Sequence, residues 1–167
     1  ILDTSQIPYT QVAAFRNNTI NTFDYTEVIH RICKSYNEAF ALIEINDIGQ
    51  EVANMLANDF EYENIFFTET NGKAGKRISA GFGGTNQERG IRTTKTVKNI
   101  GCSMIKTLVE QKQILINDET TLDEIKCFSK KGNSYEAETG KTDDLMMGLV
   151  LFGWLTTQQL FKEITDT

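Results

Sequence analysis

Two short segments of this 167-residue chain place carboxylates where they could do chemistry. Glu44 lies inside the apolar run Ala41–Ile45, which predicts a short buried strand. An ionised carboxylate is costly to bury there unless it is paired or bound to a metal. Asp143 and Asp144 directly precede a strongly apolar stretch that predicts a helix. Carboxylates from separate elements can converge on one hard divalent cation such as magnesium, which takes oxygen ligands.

Each of these acids also has a purely structural explanation. Strand alternation could turn the Glu44 side chain outward near the end of the sheet, where water would solvate it. Asp143 and Asp144 could cap the following helix, because an aspartate at a helix start accepts backbone N–H bonds and complements the helix dipole. From the residues alone, metal binding and these structural roles both stay open.

Other catalytic patterns do not fit the sequence. The segment Thr70–Arg77 resembles a phosphate-binding loop, but Thr70 replaces the first glycine of that motif and Arg77 replaces its hydroxyl residue, so we expect no ATP site. His30 and Cys33 share a helix face, yet no further residues are spaced around them as zinc ligands. The three cysteines are far apart, which argues against a disulfide scaffold and indicates a reducing compartment.

The elements that must position these acids alternate between strand and helix. Apolar residues at helical spacing predict helices, and short apolar runs predict strands. The predicted helices are Tyr25–Tyr36 (capped by Thr22 or Asp24), Val52–Ala57, Val97–Val109, Leu122–Phe128 and Leu145–Trp154, and the predicted strands are Gln11–Phe15, Ala41–Ile45, Ile65–Thr68, Ile114–Ile116 and Ser134–Glu138. This alternation predicts a single α/β domain over residues 1–167, with helices on both faces of a sheet. No apolar run reaches the roughly 18–20 residues of a membrane span.

A basic, glycine-rich segment interrupts this alternation at residues 71–94, which we expect to form a loop or hairpin. The charge between positions 73 and 98 is +6, whereas the whole chain carries −6. Glycines allow close approach, and lysine and arginine release counterions from nucleic acid, so the segment predicts sequence-independent contact with a phosphate backbone. A solvated hairpin is the alternative. The basic residues concerned are Lys73, Lys76, Arg77, Arg89, Arg92, Lys95 and Lys98.

Three segments, in order, resemble the C-terminal nuclease domain of the large terminase subunit of tailed phages of the contractile-tail type. They are Ala41–Gly49, Val97–Cys102 and Thr142–Leu155, and the resemblance covers nearly the whole chain. It implies a ribonuclease H-like fold, with a mixed central sheet and helices on both faces. It also implies a nuclease that cuts concatemeric duplex viral DNA during genome packaging. It further implies that Glu44 and Asp144 are catalytic and hold two Mg²⁺ or Mn²⁺ ions. Asp143 would either cap the helix or contact the metal ligands without binding the metal itself.

The resemblance also implies a first metal aspartate on an opening strand. Because Ile7–Val12 resembles the family's second strand, we expect the opening strand upstream of Ile1, and Asp3 would be a poor substitute for its aspartate. The implied partners are duplex DNA, a terminase ATPase domain in the parent chain, the portal and the small terminase subunit, with no membrane. The implied location is the cytoplasm of an infected bacterial host, at the procapsid portal.

Three alternative functions remain at this point. The first is a non-catalytic module that clamps DNA or docks on the portal, with Glu44 facing outward and Asp144 only capping. The second is a ribonuclease H-like junction resolvase, which would use similar acids. The third is a glycosidase, which would need its two carboxyl groups in an open aromatic cleft, and the sequence offers no stacking residues for one.

Overall fold

The computed structural model describes residues 1–70, 76–79, 87–132 and 134–165. Helices and strands alternate along most of the chain. In chain order the elements are β1 (Leu2–Asp3), β2 (Tyr9–Gln11), α1 (Thr22–Ser35), α2 (Gly49–Asn58), β3 (Phe67–Thr70), β4 (Lys76–Ser79), β5 (Gln87–Arg89), α3 (Lys95–Glu110), β6 (Ile114–Leu115), α4 (Glu119–Lys126), β7 (Phe128–Lys131), β8 (Ser134–Ala137), α5 (Asp144–Leu155) and α6 (Gln159–Thr165). The chain divides into two compact units: the first unit comprises Ile1–Arg16 and Thr94–Thr167, and the second unit comprises Asn17–Thr93.

The first unit contains a small mixed sheet in the order β1-β2-β6. β2 pairs antiparallel with β1 and parallel with β6. The prediction of a strand over Gln11–Phe15 is wrong in its bounds, because the ladder covers Tyr9–Gln11 and buries the side chains of Tyr9 and Gln11 on one face. The predicted strand at Ser134–Glu138 corresponds to β8, which forms an antiparallel hairpin with β7.

Helix α5 is the centre of the first unit's core. It is apolar on nearly every side and is buried over most of its length, as expected for a helix without a polar face. It packs along α3. At one end, the rings of Tyr9, Phe152 and Phe161 contact one another edge to face, with centroids 5.4–6.1 Å apart. These rings join β2, α5 and α6 into one core.

Helix α4 does not bury the face that its sequence predicts. The predicted helix over Leu122–Phe128 is wrong at its end, because α4 ends at Lys126 and Phe128 begins β7. Leu122 is 37% exposed, whereas Thr121 and Glu124 are buried. Asp118 caps the helix, since its Oδ2 accepts a hydrogen bond from the N–H of Thr121 at 2.7 Å. The buried face of α4 is therefore polar, and its partners are described with the site below.

The second unit packs α1 and α2 beside an antiparallel sheet in the order β4-β3-β5. The cap of α1 is Asn21 rather than Thr22 or Asp24: the N–H of Asp24 donates to Oδ1 of Asn21 at 2.9 Å. One core cluster of this unit is formed by apolar and aromatic residues from α1, α2 and the segments that follow them. Its buried members are Cys33, Ala41, Leu56, Tyr62 and Ile65.

The segment Ala41–Ile45 makes two single bridges instead of the continuous strand predicted. Ala41 bridges to Ile65 and Glu44 bridges to Ile91, both in parallel orientation. The ladder is interrupted because the two partners belong to segments 26 residues apart in the chain. These two bridges nevertheless hold the backbone of the segment that contains Glu44.

Candidate functional site

Glu44 lies between two residues that are bonded to the segment at Ile91. The N–H of Ile91 donates to the carbonyl of Ile43 at 2.8 Å, and the N–H of Ile45 donates to the carbonyl of Ile91 at 2.9 Å. Ile45 and Ile91 are fully buried, and side-chain alternation directs Glu44 to the side opposite Ile45. The Glu44 side chain is half-buried. Within the described part of its own unit, no group hydrogen-bonds or forms an ion pair with its carboxylate.

The loop that follows Glu44 folds back onto its backbone. A Cβ atom at Gly49, the first residue of α2, would overlap the carbonyl oxygen of Glu44, so this close approach requires glycine. Asn46 fixes the same loop from another direction. Its Oδ1 accepts from the N–H of Thr93 at 3.2 Å, and its Nδ2 donates to the carbonyl of Thr93 at 3.5 Å. These contacts hold the Glu44 backbone in one position.

Asp144 is the first residue of α5, and its side chain is 65% exposed. Its Oδ2 accepts a hydrogen bond from Nε of Arg16 at 2.9 Å. Asp143 occupies the N-cap position, where its carbonyl accepts from the N–H of Met147 at 2.7 Å. The Asp143 side chain makes no capping bond and instead accepts from the N–H of Ala137 at 3.3 Å. The Asp143 carboxylate thus links the β7–β8 hairpin to the start of α5.

The carboxylate that caps α5 comes from another helix. Oε2 of Glu124, on α4, accepts hydrogen bonds from the N–H groups of Leu145 at 2.7 Å and Met146 at 3.0 Å. Oε1 accepts from the hydroxyl of Thr142 at 3.1 Å. Glu124 is 5% exposed, and these donors stabilise its buried carboxylate. Sequence reasoning missed this residue, because nothing in the local sequence marks Glu124 as the partner of a helix that begins 20 positions later.

A buried glutamine positions α4 in turn. Gln11 on β2 is 6% exposed. Its Oε1 accepts from the N–H groups of Asn117 at 3.2 Å and Asp118 at 3.1 Å, and its Nε2 donates to Oγ1 of Thr121 at 3.0 Å. The start of α4 is therefore tied to the sheet of the first unit, and Glu124 follows one turn after Thr121.

The structure places two of the predicted DNA-contacting arginines on one sheet face. Arg77 lies opposite Glu69 across the β3–β4 ladder, and Arg89 lies opposite Phe67 across the β3–β5 ladder. Because Phe67 and Glu69 are two residues apart on β3, all four side chains project from the same face. Nη2 of Arg77 also forms an ion pair with Oε2 of Glu69 at 3.1 Å. This face carries two arginines, and one of them, Arg77, is paired with the carboxylate of Glu69.

The other predicted DNA-contacting residues of the second unit are Arg92, Lys76 and Lys73. Nε of Arg92 is bonded to Oε1 of Glu88 at 3.0 Å. Only the backbone of Lys76 is described, within β4, and Lys73 lies outside the described residues. In the first unit, Lys95 and Lys98 begin α3.

The two lysines at the start of α3 differ in their surroundings. Lys95 is exposed. Lys98 is half-buried, and its Nζ lies 5.6 Å from the ring centroid of Phe128, which is within cation–π range. Thr94 caps this helix, since its Oγ1 accepts from the N–H of Val97 at 3.3 Å. Both lysines thus lie in the first turn of α3, which the Thr94 cap stabilises.

His30 and Cys33 pack against side chains of the second unit, and Cys33 is buried. The His30 ring lies 5.2 Å from the ring of Phe60 and 5.9 Å from that of Tyr62. Burial raises the pKa of the Cys33 thiol, which keeps it protonated and unreactive at neutral pH. These contacts are those of packed side chains.

The described residues offer carboxylates as the candidate metal ligands. In the parts of the chain that the structure describes, no three or more His, Cys, Asp or Glu side chains form a group that could hold a metal ion. Asp3, on β1, accepts a hydrogen bond from the N–H of Ser5 at 2.9 Å, which lowers the pKa of its carboxyl. Asp3 is therefore engaged in the turn between β1 and β2.

Comparison with known families places the chain. The sequence model of the terminase RNaseH-like domain matches residues 1–151. The chain belongs to this family. Membership confirms the mixed α/β, RNaseH-like fold expected from the sequence, and it makes the protein a nuclease-type module of a terminase, associated with DNA and the packaging machinery. The matched range includes Glu44, Asp143, Asp144 and the whole basic segment. None of the helices in the described ranges has the length and hydropathy needed to span a bilayer.

Proposed function

We propose that this protein is a divalent-metal-dependent endonuclease that cuts concatemeric duplex viral DNA during genome packaging, with Glu44 and Asp144 holding the metal. The observation that carries the proposal is the Glu44 carboxylate. It is half-buried beside the fully buried Ile45, in a backbone fixed by Ile91 and Gly49, and no described group of its unit neutralises it. A carboxylate held in this way is suited to a cation.

The donor atoms available fit Mg²⁺ or Mn²⁺. Both metals take hard oxygen ligands, and Glu44 and Asp144 supply carboxylate oxygens. In the first unit, the only described bond of the Asp144 carboxylate engages Oδ2, which leaves Oδ1 available. When bound, two such ions would lower the pKa of a water nucleophile and stabilise the charge that develops on the phosphate. The residues of the chain would hold these ions and orient the DNA.

The remaining residues have supporting roles in this proposal. The Asp143 carboxylate holds the N–H of Ala137 and so steadies the backbone at the start of α5. Arg77, Arg89 and Arg92 of the second unit, with Lys73 and Lys76, contact DNA phosphates, and Lys95 and Lys98 do the same from α3. Contacts of this kind carry no base information, so cutting would be sequence-independent. We further propose that the ATPase domain of the parent chain, the portal and the small terminase subunit are its partners, at the procapsid in the host cytoplasm.

Plasmid cleavage with Mn²⁺ or Mg²⁺ tests the proposed function. Glu44→Gln and Asp144→Asn should each abolish metal-dependent nicking. Glu51→Gln on α2 and Asp123→Asn on α4 are matched controls, because they remove the same charge from exposed sites nearby and should retain the wild-type rate. Undiminished cleavage by Glu44→Gln or Asp144→Asn would remove that residue from the site.

The same experiment separates the other functions. Duplex binding without cleavage by the wild-type protein, at any concentration of either metal, would replace the endonuclease with a DNA-clamping module. Cleavage of four-way junctions in strong preference to linear duplex would replace it with a junction resolvase. Each outcome is read from the wild-type protein before any variant is considered.

A further inference from the structure

The start of α5 is held by two residues from distant parts of the first unit, Glu124 and Arg16. We propose that Glu124 is a positioning residue for Asp144, and that it acts both through the α5 backbone and through Arg16. The inference rests on the proposed metal-binding role of Asp144. It concerns a residue that touches neither DNA nor metal in that proposal.

The backbone route is direct. Leu145 and Met146 immediately follow Asp144, and both donate their N–H groups to the same oxygen of Glu124, at 2.7 and 3.0 Å. The N–H groups at a helix start have no acceptor inside the helix, and a side chain just before the helix usually caps them. Here the cap comes from α4, so the position of Asp144 is set by the packing of α4 against α5. The Gln11 hydrogen bonds that fix the start of α4 therefore also serve the site.

The electrostatic route passes through Arg16. Its Nε lies 2.9 Å from Oδ2 of Asp144 and 3.9 Å from Oε1 of Glu124. One guanidinium thus faces two carboxylates, and the three side chains together carry one net negative charge. Without the charge of Glu124, Arg16 would neutralise Asp144 alone and would oppose the approach of a cation. Glu124 keeps the start of α5 anionic while its own carboxylate stays buried.

This arrangement predicts opposite effects of two substitutions on metal affinity. Glu124→Gln keeps the shape of the side chain but removes its charge, so Mn²⁺ should bind about tenfold more weakly, the usual scale for loss of a group that orients a metal ligand. Arg16→Gln removes the competing cation from a half-exposed site, so Mn²⁺ should bind about threefold more tightly. In the Arg16→Gln background, Glu124→Gln should have a smaller effect than it has alone, because the two residues are coupled.

Mn²⁺ titration by calorimetry on the purified protein, without DNA, measures these affinities. Asp123→Asn is the matched control for Glu124→Gln: it removes the same charge from the neighbouring position on α4, where the side chain is 74% exposed and pairs with Lys126. Lys106→Gln, an exposed lysine on α3, is the control for Arg16→Gln. Both controls should bind Mn²⁺ as the wild type does. Equal affinities for Glu124→Gln and Asp123→Asn would overturn the positioning role.

Two further measurements keep the result interpretable. If Glu124→Gln does not fold, judged by its thermal transition, Arg16→Gln still tests the pair, and unchanged or weaker Mn²⁺ binding in that variant would overturn the proposal. Asp144→Asn distinguishes failure of the proposed function. If the wild type binds no Mn²⁺ that this variant loses, the metal assignment itself is wrong. If the variant does lose a site and the two other substitutions change nothing, only the positioning role fails.

Discussion

The Nε atom of Arg16 donates a hydrogen bond to Oδ2 of Asp144 at 2.9 Å, although the two residues are 128 positions apart in the chain. Arg16 ends the first segment of the first unit, and Asp144 begins its central helix. The bond therefore joins the chain that leaves β2 to the helix whose first carboxylate belongs to the proposed site. Glu124 faces the same guanidinium from a buried position on α4, so the loss of Arg16 and the loss of Glu124 should differ in energetic cost.

Substitution of Arg16 and substitution of Glu124 should lower the free energy of unfolding by very different amounts. Arg16→Ala should lower the free energy of unfolding by less than about 1 kcal/mol, because its ion pair with Asp144 is solvent-exposed. Glu124→Ala should lower it by about 3 kcal/mol, because the N–H groups of Leu145 and Met146 lose their acceptor in a mostly buried setting. Urea titration at neutral pH measures both values. Similar losses for the two variants would contradict the assignment of Glu124 as the cap of α5.

A second prediction concerns the close approach of Gly49 to Glu44. A methyl group at position 49 would overlap the Glu44 carbonyl, so Gly49→Ala should displace the start of α2 and destabilise the protein by about 1–3 kcal/mol. Metal-dependent cleavage should fall with it, since the Glu44 backbone must move. Gly148→Ala is the control: apart from its chain neighbours and its own helix backbone, no described atom lies within 4 Å of the added methyl group, and alanine in a helix interior should stabilise by about 0.5–1 kcal/mol. A Gly49→Ala variant as stable and active as the wild type would show that the contact is dispensable.

The sequence predicts three of the helices well because their packing is periodic or uniformly apolar, but it predicts neither the buried face of α4 nor the presence of α6. α2, α3 and α5 lie where the apolar spacing placed them. The strand pairing around Glu44 is harder to predict, because the segment that carries Glu44 bonds to two separate segments and forms only single bridges. Glu124 could not be predicted at all. Its burial depends on donors at Thr142, Leu145 and Met146 that reach it only after α4 and α5 have packed.

A third prediction concerns the basic face of the β4-β3-β5 sheet. Arg77→Gln and Arg89→Gln should each weaken duplex binding, and each should reduce the slope of log affinity against log salt by about 0.9, the value for one lost phosphate contact. Arg31→Gln on α1 removes the same charge from an exposed helix position outside this face and should leave the slope unchanged. Fluorescence anisotropy with two unrelated duplexes at several salt concentrations measures these slopes. A wild-type slope in both sheet variants would place the DNA elsewhere.

The fourth prediction is that alkali destabilises the protein through Cys33 and Tyr62. Burial raises the pKa of the Cys33 thiol above its ordinary value of 9.0 and that of the Tyr62 hydroxyl above 10.0. Both groups stay protonated in the folded chain at a pH where the unfolded chain has lost these protons. Their contribution to stability is therefore complete below about pH 9 and declines above it, because the unfolded state then binds fewer protons.

Urea midpoints measured from about pH 7 to about pH 11 test this sign and its origin. Cys33→Ala combined with Tyr62→Phe should be less stable than the wild type at neutral pH, since Tyr62 loses its hydrogen bond to the carbonyl of Ala39 at 2.6 Å. Above pH 9 its stability should fall less steeply, by up to about 1.4 kcal/mol per pH unit for each group removed. Ile65→Val, which alters the same core cluster without removing a titratable group, should keep the wild-type slope. If the double variant also keeps that slope, the alkaline loss of stability arises from other groups, and the buried pair of Cys33 and Tyr62 makes no contribution to it.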